Sequence, residues 1–533
     1  MTFDPNQMTV QRADGAWQEL SRQGDTWAAA GIRVTTKATT SDAAATVTGV
    51  FASLAVAITA SDQPLQRLRL TWPRESQPGA LFMGDAFERA YGELRFTPLD
   101  EAAVYPWYFV EHGPAGNHCL GVATQPNTLC SWTVTNTSTM LWLDLRSGTR
   151  PLLLGDRQLP CCEVVSFTSP AADPLLALTA FCARLNQAHQ PRPLPQVIGT
   201  NDWYYAYGDN NREDVVHNAA AVAALCQGLP VRPWCVVDDG WQCDHSSAYN
   251  GGPWTGGNAK FGDMAAVAAA IKAAGARPGL WFRPLLTTTA ALRPHALRQD
   301  GDAFTLDISD PAVLAAVQAD VRRFGDWGFE LIKFDFSTVD VFAQWGPTMG
   351  LDYAQGPLAF QDQTHTTAEI VKNFYRAIRE AAGPVLLNGC NVVGHLAAGF
   401  IDLMRIGDDT SGRSFRRTVA MGVNSLAMRL PQHRTFYLAD ADCVGLTPDI
   451  DWAQNRQWLN LLAQSGTPLL VSCDFSKLPA EQAAAVAQAF AQNVAQTARY
   501  APVSVLDGRY PQVWTDGSRR DVYDWETSPL APM

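Results

Sequence analysis

Carboxylates and aromatic residues recur where short apolar runs end: Asp202-Trp203, Asp238-Asp239-Gly240-Trp241, Lys333-Phe334-Asp335, Arg405-Ile406-Gly407-Asp408-Asp409, Asp440 with Asp442, and Asp474. One Asp in such a place is commonly a helix cap. Several on one rim repel each other and need compensation; Lys333 and Arg405 supply cations, and a polyhydroxylated ligand supplies hydroxyl donors. Paired carboxylates suit glycosidic-bond cleavage. One attacks the anomeric carbon or activates water, while the other, held protonated by burial or a neighbouring charge, protonates the departing oxygen. Retaining enzymes hold the pair roughly 5–5.5 Å apart and inverting ones farther; the sequence leaves that distance open.

Bringing these groups to one rim requires a closed parallel sheet. Residues 197–203, 233–241, 277–285, 331–336, 384–390, 402–409, 434–443 and 468–474 read as strands. Most are separated by helix-like segments such as DVVHNAAAVAALCQ and PAVLAAVQADVRRFGDWG, although the third connection is irregular and the fifth short. Eight such units across residues 196–498 predict an α/β fold, a (β/α)8 TIM barrel rather than a doubly wound open sheet. Barrel enzymes carry their catalytic groups at the C-terminal strand ends, where these carboxylates fall. Ahead of the barrel, residues 1–172 hold short β-branched and aromatic runs broken by Gly, Pro, Asp and Asn, which predict an N-terminal β-sandwich. Residues 173–187 predict one amphipathic helix, and the Pro-rich QPRPLPQ completes a linker over 173–195. Residues 499–533 predict a short C-terminal β extension, too small for a core of its own.

With 47% hydrophobic and 17% charged residues among 533, the chain can bury large cores. A net charge of −12 without a basic stripe argues against a nucleic-acid partner. No run of apolar residues is long enough to predict a membrane span. The N-terminal MTFDPNQMTVQRADG lacks the charged and apolar regions of a secretory signal. Eleven scattered cysteines without a C-x-x-C predict reduced thiols, a cytoplasmic location, and neither a zinc site nor a redox centre.

In LIKFDF, DDGW and MRIGDDT, taken in order along the barrel, residues 196–480 resemble glycoside hydrolase families 27 and 36, the clan of retaining α-galactosidases. The β-rich N-terminal region resembles the sandwich that precedes the barrel in family 36. The resemblance implies a glycosidase that cleaves terminal α-D-galactosyl residues by double displacement through a covalent glycosyl-enzyme. It implies an oligosaccharide or glycoside partner and no metal or organic cofactor; a homo-oligomer is compatible with it. It makes Asp335 of the K-x-D motif the nucleophile and Lys333 a ligand of sugar hydroxyls. Asp238 and Asp239, with Trp241 nearby, would hold the 4- and 6-hydroxyls. One family register selects Asp409 as acid/base, with Arg405 a ligand for it or for the 2-hydroxyl; a second register selects Asp408. Trp203 and Trp281 match aromatics that line the sugar pocket, and Asp440-Ala441-Asp442 resembles a strand-7 motif that mainly builds the rim.

Two loops depart from the family pattern. Gly279–Pro284 reads G-L-W-F-R-P where many members carry G-L-W-x-E-P, and Asn388–Gly394 reads N-G-C-N-V-V-G where they carry a C-S-S-G-G-G-R-like loop. These loops shape the pocket around the 2-substituent and the leaving group, so α-N-acetylgalactosaminidase and β-L-arabinopyranosidase action stand beside α-galactosidase action. A galactosyl-transferring, raffinose synthase-like enzyme is a further reading, disfavoured by the strand-1 motif. A catalytically silent carbohydrate binder is disfavoured because Asp335 and the strand-6 carboxylates are kept.

Overall fold

Runs such as Ile198–Asn201 and Trp234–Val237 are buried along their whole length, as strands covered on both faces must be. A computed structural model describes residues 3–42 and 47–525. The strands Ile198–Asn201, Trp234–Val237, Arg277–Phe282, Leu331–Phe334, Leu386–Gly389, Leu403–Arg405 and Leu438–Asp440 lie side by side in that order, each parallel to the next. The seventh breaks at Ala441–Cys443 and resumes as Val444–Gly445, which pairs with the eighth, Leu469–Ser472. The eighth pairs with the first, so the sheet closes into a (β/α)8 barrel as expected.

Helices Arg212–Leu225, Met264–Ala273, Pro311–Asp326, Thr367–Ala382, Trp452–Ser465 and Ala480–Ala495 cover the barrel. Asn211, Asp263 and Asp310 cap three of them through their side chains, and Thr366 forms a capping box with Glu369. The third connection is irregular because it carries a small antiparallel sheet of Leu286–Thr287, Ala296–Asp300 and Ala303–Leu306. The fifth is a single helical turn, Gly394–Ala397. Val236, Leu331, Leu386, Leu403, Leu438 and Leu470 fill the lower barrel, which is a packed core rather than a channel.

The strands between Gln7 and Ser169 form two antiparallel sheets, of six and nine strands. Leu54, Val56, Leu68, Leu70, Trp132 and Leu141 fill the space between them. Phe51, Tyr108, Val165 and Phe167 belong to a second core, continuous with helix Pro174–Leu185 and the barrel. Asp85 of the sandwich and Arg429 of the barrel pair at 2.8 Å, each 1% exposed. Separating such a pair leaves a charge buried and uncompensated, so it fixes how the two domains meet. The loop from Asp85 to Gly92 lies on the barrel rim. There the Ala90 N–H donates to the Ile406 carbonyl (2.9 Å) and the Asp408 N–H donates to the Ala90 carbonyl (2.7 Å).

At the C-terminal end, Ala501–Pro502, Val513–Thr515 and Arg520–Val522 form a small antiparallel sheet. Trp514 is fully buried, and Trp525 lies 6.4 Å from Phe415 of the barrel. The extension therefore shares the barrel's core, as its size requires.

Candidate active site

Lys333 is the third residue of the fourth strand, and Asp335 follows two residues later just past its end, so both fall on the same side of the sheet. The Lys333 ammonium donates to Asp238 Oδ2 at 2.6 Å. Burial alone would lower the Lys333 pKa, but the Asp238 charge outweighs it and holds it well above the ordinary lysine value. Asn201 Nδ2 donates to the same oxygen at 2.7 Å, and Asp202 Oδ1 accepts the Asp238 N–H at 2.7 Å. The ends of the first, second and fourth strands are thereby tied around Asp238.

Asp335 is oriented from both sides. The Phe336 N–H donates to Oδ1 at 2.7 Å and the Trp281 indole N–H donates to Oδ2 at 3.3 Å. The first contact requires Phe336 to adopt φ 60°, a left-handed conformation that costs a non-glycine residue about 1–2 kcal/mol. Asn391 holds the turn: its carbonyl accepts from Ser337 Oγ (2.6 Å) and its side-chain oxygen from the Thr338 N–H (3.1 Å).

On the opposite flank, buried Arg405 ends the sixth strand and pairs with Asp442 at 2.7 Å and Asp409 at 3.1 Å. Asp442 sits at φ 78° in the break of the seventh strand, where Thr410 donates to it through its N–H (2.8 Å) and hydroxyl (2.9 Å). The Tyr204 hydroxyl donates to it as well. Asp440 accepts from Asn388 Nδ2 at 2.9 Å and from the Asp442 N–H at 2.9 Å. The Asp440–Asp442 motif thus closes the barrel, and Asp442 also supplies the main counter-charge of Arg405.

Asp408 and Asp409 differ in surroundings. Asp408 is clamped between Arg89 (2.9 Å) and Arg417 (2.6 Å), with its side chain 14% exposed. The Asp409 side chain is 39% exposed, with Arg405 on one oxygen and Arg89 at 3.8 Å. Burial pushes the Asp409 carboxyl up, but Arg405, Arg89, Lys333 and Arg417 together hold it below the ordinary carboxylate range. Of the two registers, Asp409 is the one that leaves a face open to a ligand.

Arg89 comes from the sandwich loop. Its neighbour Glu88 is buried, accepts from Asn391 Nδ2, and accepts the Gly346 N–H at 3.1 Å, so the same loop also braces the turn after Asp335. Arg89 and Arg405 each place an N–H near Cys390 Sγ, at 3.8 and 3.7 Å. Burial first, and then the Asp335 charge, push the Cys390 thiol well above its ordinary value. Glu88, Arg89 and Asn201 were outside the expected set, and Asn388 and Cys390 were expected only as part of a loop that departs from the family pattern. The two asparagines are polar residues in otherwise apolar strands, a signal present in the sequence; nothing local marks Glu88-Arg89 as reaching another domain.

The remaining expected residues separate into two groups. Trp281 contacts Asp335, as described. Trp241 is fully buried, gives its indole N–H to the Trp281 carbonyl (2.9 Å), and packs on Trp254, Phe324 and Trp327. It supports the third strand from behind. Trp203 is half-buried against Tyr207, with ring centroids 5.5 Å apart. The departing loops are internally consistent: Arg283 donates to Asp340 Oδ2 at 2.9 Å and to Asn250 Oδ1 at 2.7 Å, and its guanidinium lies 4.3 Å from the Phe336 ring centroid.

Asp239 follows Asp238 at a turn made possible by Gly240. At φ 120°, a Cβ there would meet Asn210 Oδ1 at 2.3 Å. Burial raises the Asp239 pKa to about 7, although Gln242 Nε2 donates to its Oδ1 at 2.7 Å. The folded value lies above the unfolded one, so the native state keeps a proton that the unfolded chain has lost between about pH 4 and pH 7. Stability falls across that window as pH rises. Asp239→Asn keeps the Oδ1 acceptor and removes the titration. Its stability relative to wild type should rise between pH 4 and pH 7, by up to roughly 4 kcal/mol, and level off above. Urea unfolding at several pH values measures this; a constant difference would mean that the carboxyl is ionised throughout.

Among the described residues no group of three or more His, Cys, Asp or Glu side chains is placed to hold a metal ion, and no helix is long and apolar enough to cross a membrane.

No protein-family model matches this chain, and no curated protein sequence does. Solved structures do. An α-galactosidase of Thermus thermophilus, in complex with p-nitrophenyl α-D-galactopyranoside, is 17% identical over 97% of this chain and 99% of its own, with a TM-score of 0.59. A family 36 α-galactosidase of Geobacillus stearothermophilus is 13% identical over 95% and 78%, with a TM-score of 0.63. An α-galactosidase of Lactobacillus brevis is 15% identical over 93% and 74%, with a TM-score of 0.60. The chain has the sandwich-and-barrel fold of these glycosidases.

Proposed function

We propose that this protein is a retaining glycoside hydrolase that removes terminal α-D-galactosyl residues. The observation that carries the reading is Asp335, a carboxylate locked by Phe336 and Trp281 at the fourth strand end, with Lys333 two residues before it and Asp409, just past the sixth strand, left half-open. Asp335 attacks the anomeric carbon as the bond to the leaving oxygen breaks, and Asp409 gives that oxygen its proton. Asp409 then takes a proton from the water that cleaves the glycosyl ester, and the sugar leaves with its configuration retained. Lys333, Asp238 and Asp239 hold sugar hydroxyls. The α-galactosidases of the same fold bind p-nitrophenyl α-galactoside, stachyose and raffinose, which supports the choice of sugar. The eleven unpaired thiols suit a reducing cytoplasm.

Initial rates on p-nitrophenyl α-galactoside, α-N-acetylgalactosaminide, β-L-arabinopyranoside and α-glucoside test the reading. The α-galactoside is expected to react fastest, with α-galactose as the first anomer seen by NMR. Preference for another glycoside reassigns the sugar to the strand-3 and strand-5 loops, and β-galactose first would replace retention with inversion. No turnover of any of them, with or without an acceptor sugar, removes the hydrolase reading.

A further inference from the structure

The face of the barrel opposite the catalytic rim carries a cavity of about 250 Å³. His433 and Arg434 in its wall precede the seventh strand, and Ser465 and Gly466 precede the eighth, so it lies at the N-terminal strand ends. Helix Pro174–Leu185 closes one side, and residues 496–500, leading into the C-terminal sheet, close the other. The volume is just under the roughly 300–1,000 Å³ of drug-sized sites, so the occupant is a small molecule.

Charge is the distinctive property of the wall. It holds Arg434 and Arg499 and no Asp or Glu, in a chain whose net charge is −12. Burial lowers the pKa of both guanidinium groups, as it does for charge without close compensation. Asp173 is the carboxylate that acts against this at Arg499, and its Oδ1 is already taken by the Leu175 N–H at 2.8 Å. Two helices end beside the cavity, and their last carbonyls would otherwise attract these cations. Gln196 Nε2 takes the Gly466 and Asn493 carbonyls instead, each at 2.9 Å. Burial and Arg434 push the His433 pKa down to about 3, and its Nδ1 accepts the Ala439 N–H at 3.2 Å. The histidine is therefore neutral, and the positive charge comes from the arginines alone.

Both arginines have donors to spare. Arg434 gives one N–H to the Leu194 carbonyl at 3.3 Å and one to Gln196 Oε1, which leaves the greater part of its fork unused. Among the described residues the Arg499 side chain donates no hydrogen bond. Arg434 also sits at φ 58°, where its N–H donates to the Tyr437 carbonyl at 2.7 Å. A non-glycine residue is held in that left-handed region only when its surroundings fix it, and such residues gather at ligand clamps. Two uncompensated guanidinium groups on one small cavity match a dianion with several acceptor oxygens, and phosphate meets the planar fork through two oxygens at once. Leu430 and Pro431 give the same wall an apolar part against which a carbon skeleton can rest.

We propose that this cavity binds a phosphate group through Arg434 and Arg499, and that its occupant ties the linker helix, the barrel and the C-terminal sheet together. Calorimetric titration of the full chain in chloride buffer, with inorganic phosphate and separately with glucose 6-phosphate, tests this. Wild type is expected to bind phosphate saturably, one per chain. Arg434→Gln and Arg499→Gln should each weaken binding about tenfold, the scale of one hydrogen bond to a charged group. Tighter binding of glucose 6-phosphate would make a phosphorylated metabolite the occupant; equal or weaker binding would make it inorganic phosphate. Thermal unfolding should move upward in phosphate relative to chloride at equal ionic strength, for wild type and much less for the variants. Arg499→Gln removes no hydrogen bond of the described residues, so it should fold even if Arg434→Gln does not. Absence of saturable binding by either compound, or binding unchanged in Arg499→Gln, would overturn the site. Glycoside turnover does not enter the test, so the site stands or falls separately from the hydrolase reading.

Discussion

Asp335→Ala is expected to lower kcat on p-nitrophenyl α-galactoside by roughly 10⁴–10⁶-fold, the range that loss of one member of a catalytic set costs. The side chain ends a strand at the barrel mouth, and its partners are one indole N–H and one backbone N–H. Leaving two donors short of a partner costs about 1–3 kcal/mol each where they stay dry and less where water enters. The variant should therefore fold, with a thermal unfolding curve close to wild type's. Azide sharpens the test. A small anion entering the space left by the carboxylate should restore turnover and yield the β-configured glycosyl azide, since one displacement inverts the anomeric carbon once. Unchanged activity in Asp335→Ala would overturn the nucleophile assignment. Loss of activity together with loss of the folded barrel would instead make Asp335 a structural residue.

Asp409→Ala should separate substrates by leaving group. General acid catalysis contributes typically 10²–10⁴-fold. A sugar leaving group is expected to lose that much, while p-nitrophenolate, which needs little protonation, loses far less. The pH profile gives the sign independently. Arg405 and Arg89 hold the Asp409 carboxyl below the ordinary range, so the protonated form needed for the first step declines early as pH rises. Wild-type kcat/KM on stachyose should fall from acid toward neutral pH, and the Asp409→Ala profile should lack that limb. Asp408→Ala removes the partner of both Arg89 and Arg417. It should lower stability and affect both leaving groups alike. If Asp408→Ala discriminates between leaving groups and Asp409→Ala does not, the acid/base roles are exchanged.

The strand ends show how far residue pattern reaches. Four-residue apolar runs such as Trp234–Val237 announce strands because both faces must be buried, and Lys333 with Asp335 announces chemistry because charged residues at a buried strand end need a reason. An aromatic after a strand reads the same in sequence whether it lines a pocket or, like the fully buried Trp241, packs on Trp254, Phe324 and Trp327. The place of Asp442 in the rim is illegible in sequence for a related cause. Its link to Arg405 depends on a left-handed residue in the break of the seventh strand, which no periodicity encodes.

By itself the sequence determined the sandwich, the order of the eight barrel strands, and the carboxylates that reach the rim, because alternation, capping and apolar runs are local properties. Only the tertiary structure decided which strand-6 carboxylate stays open. That choice depends on Arg89, which lies more than 300 residues from Asp408 and Asp409 in the chain and is brought beside them when Ala90 pairs with Gly407 and Arg429 meets Asp85. Charge–charge energies depend on distance in space, and that distance is set by packing between domains rather than by spacing along the chain.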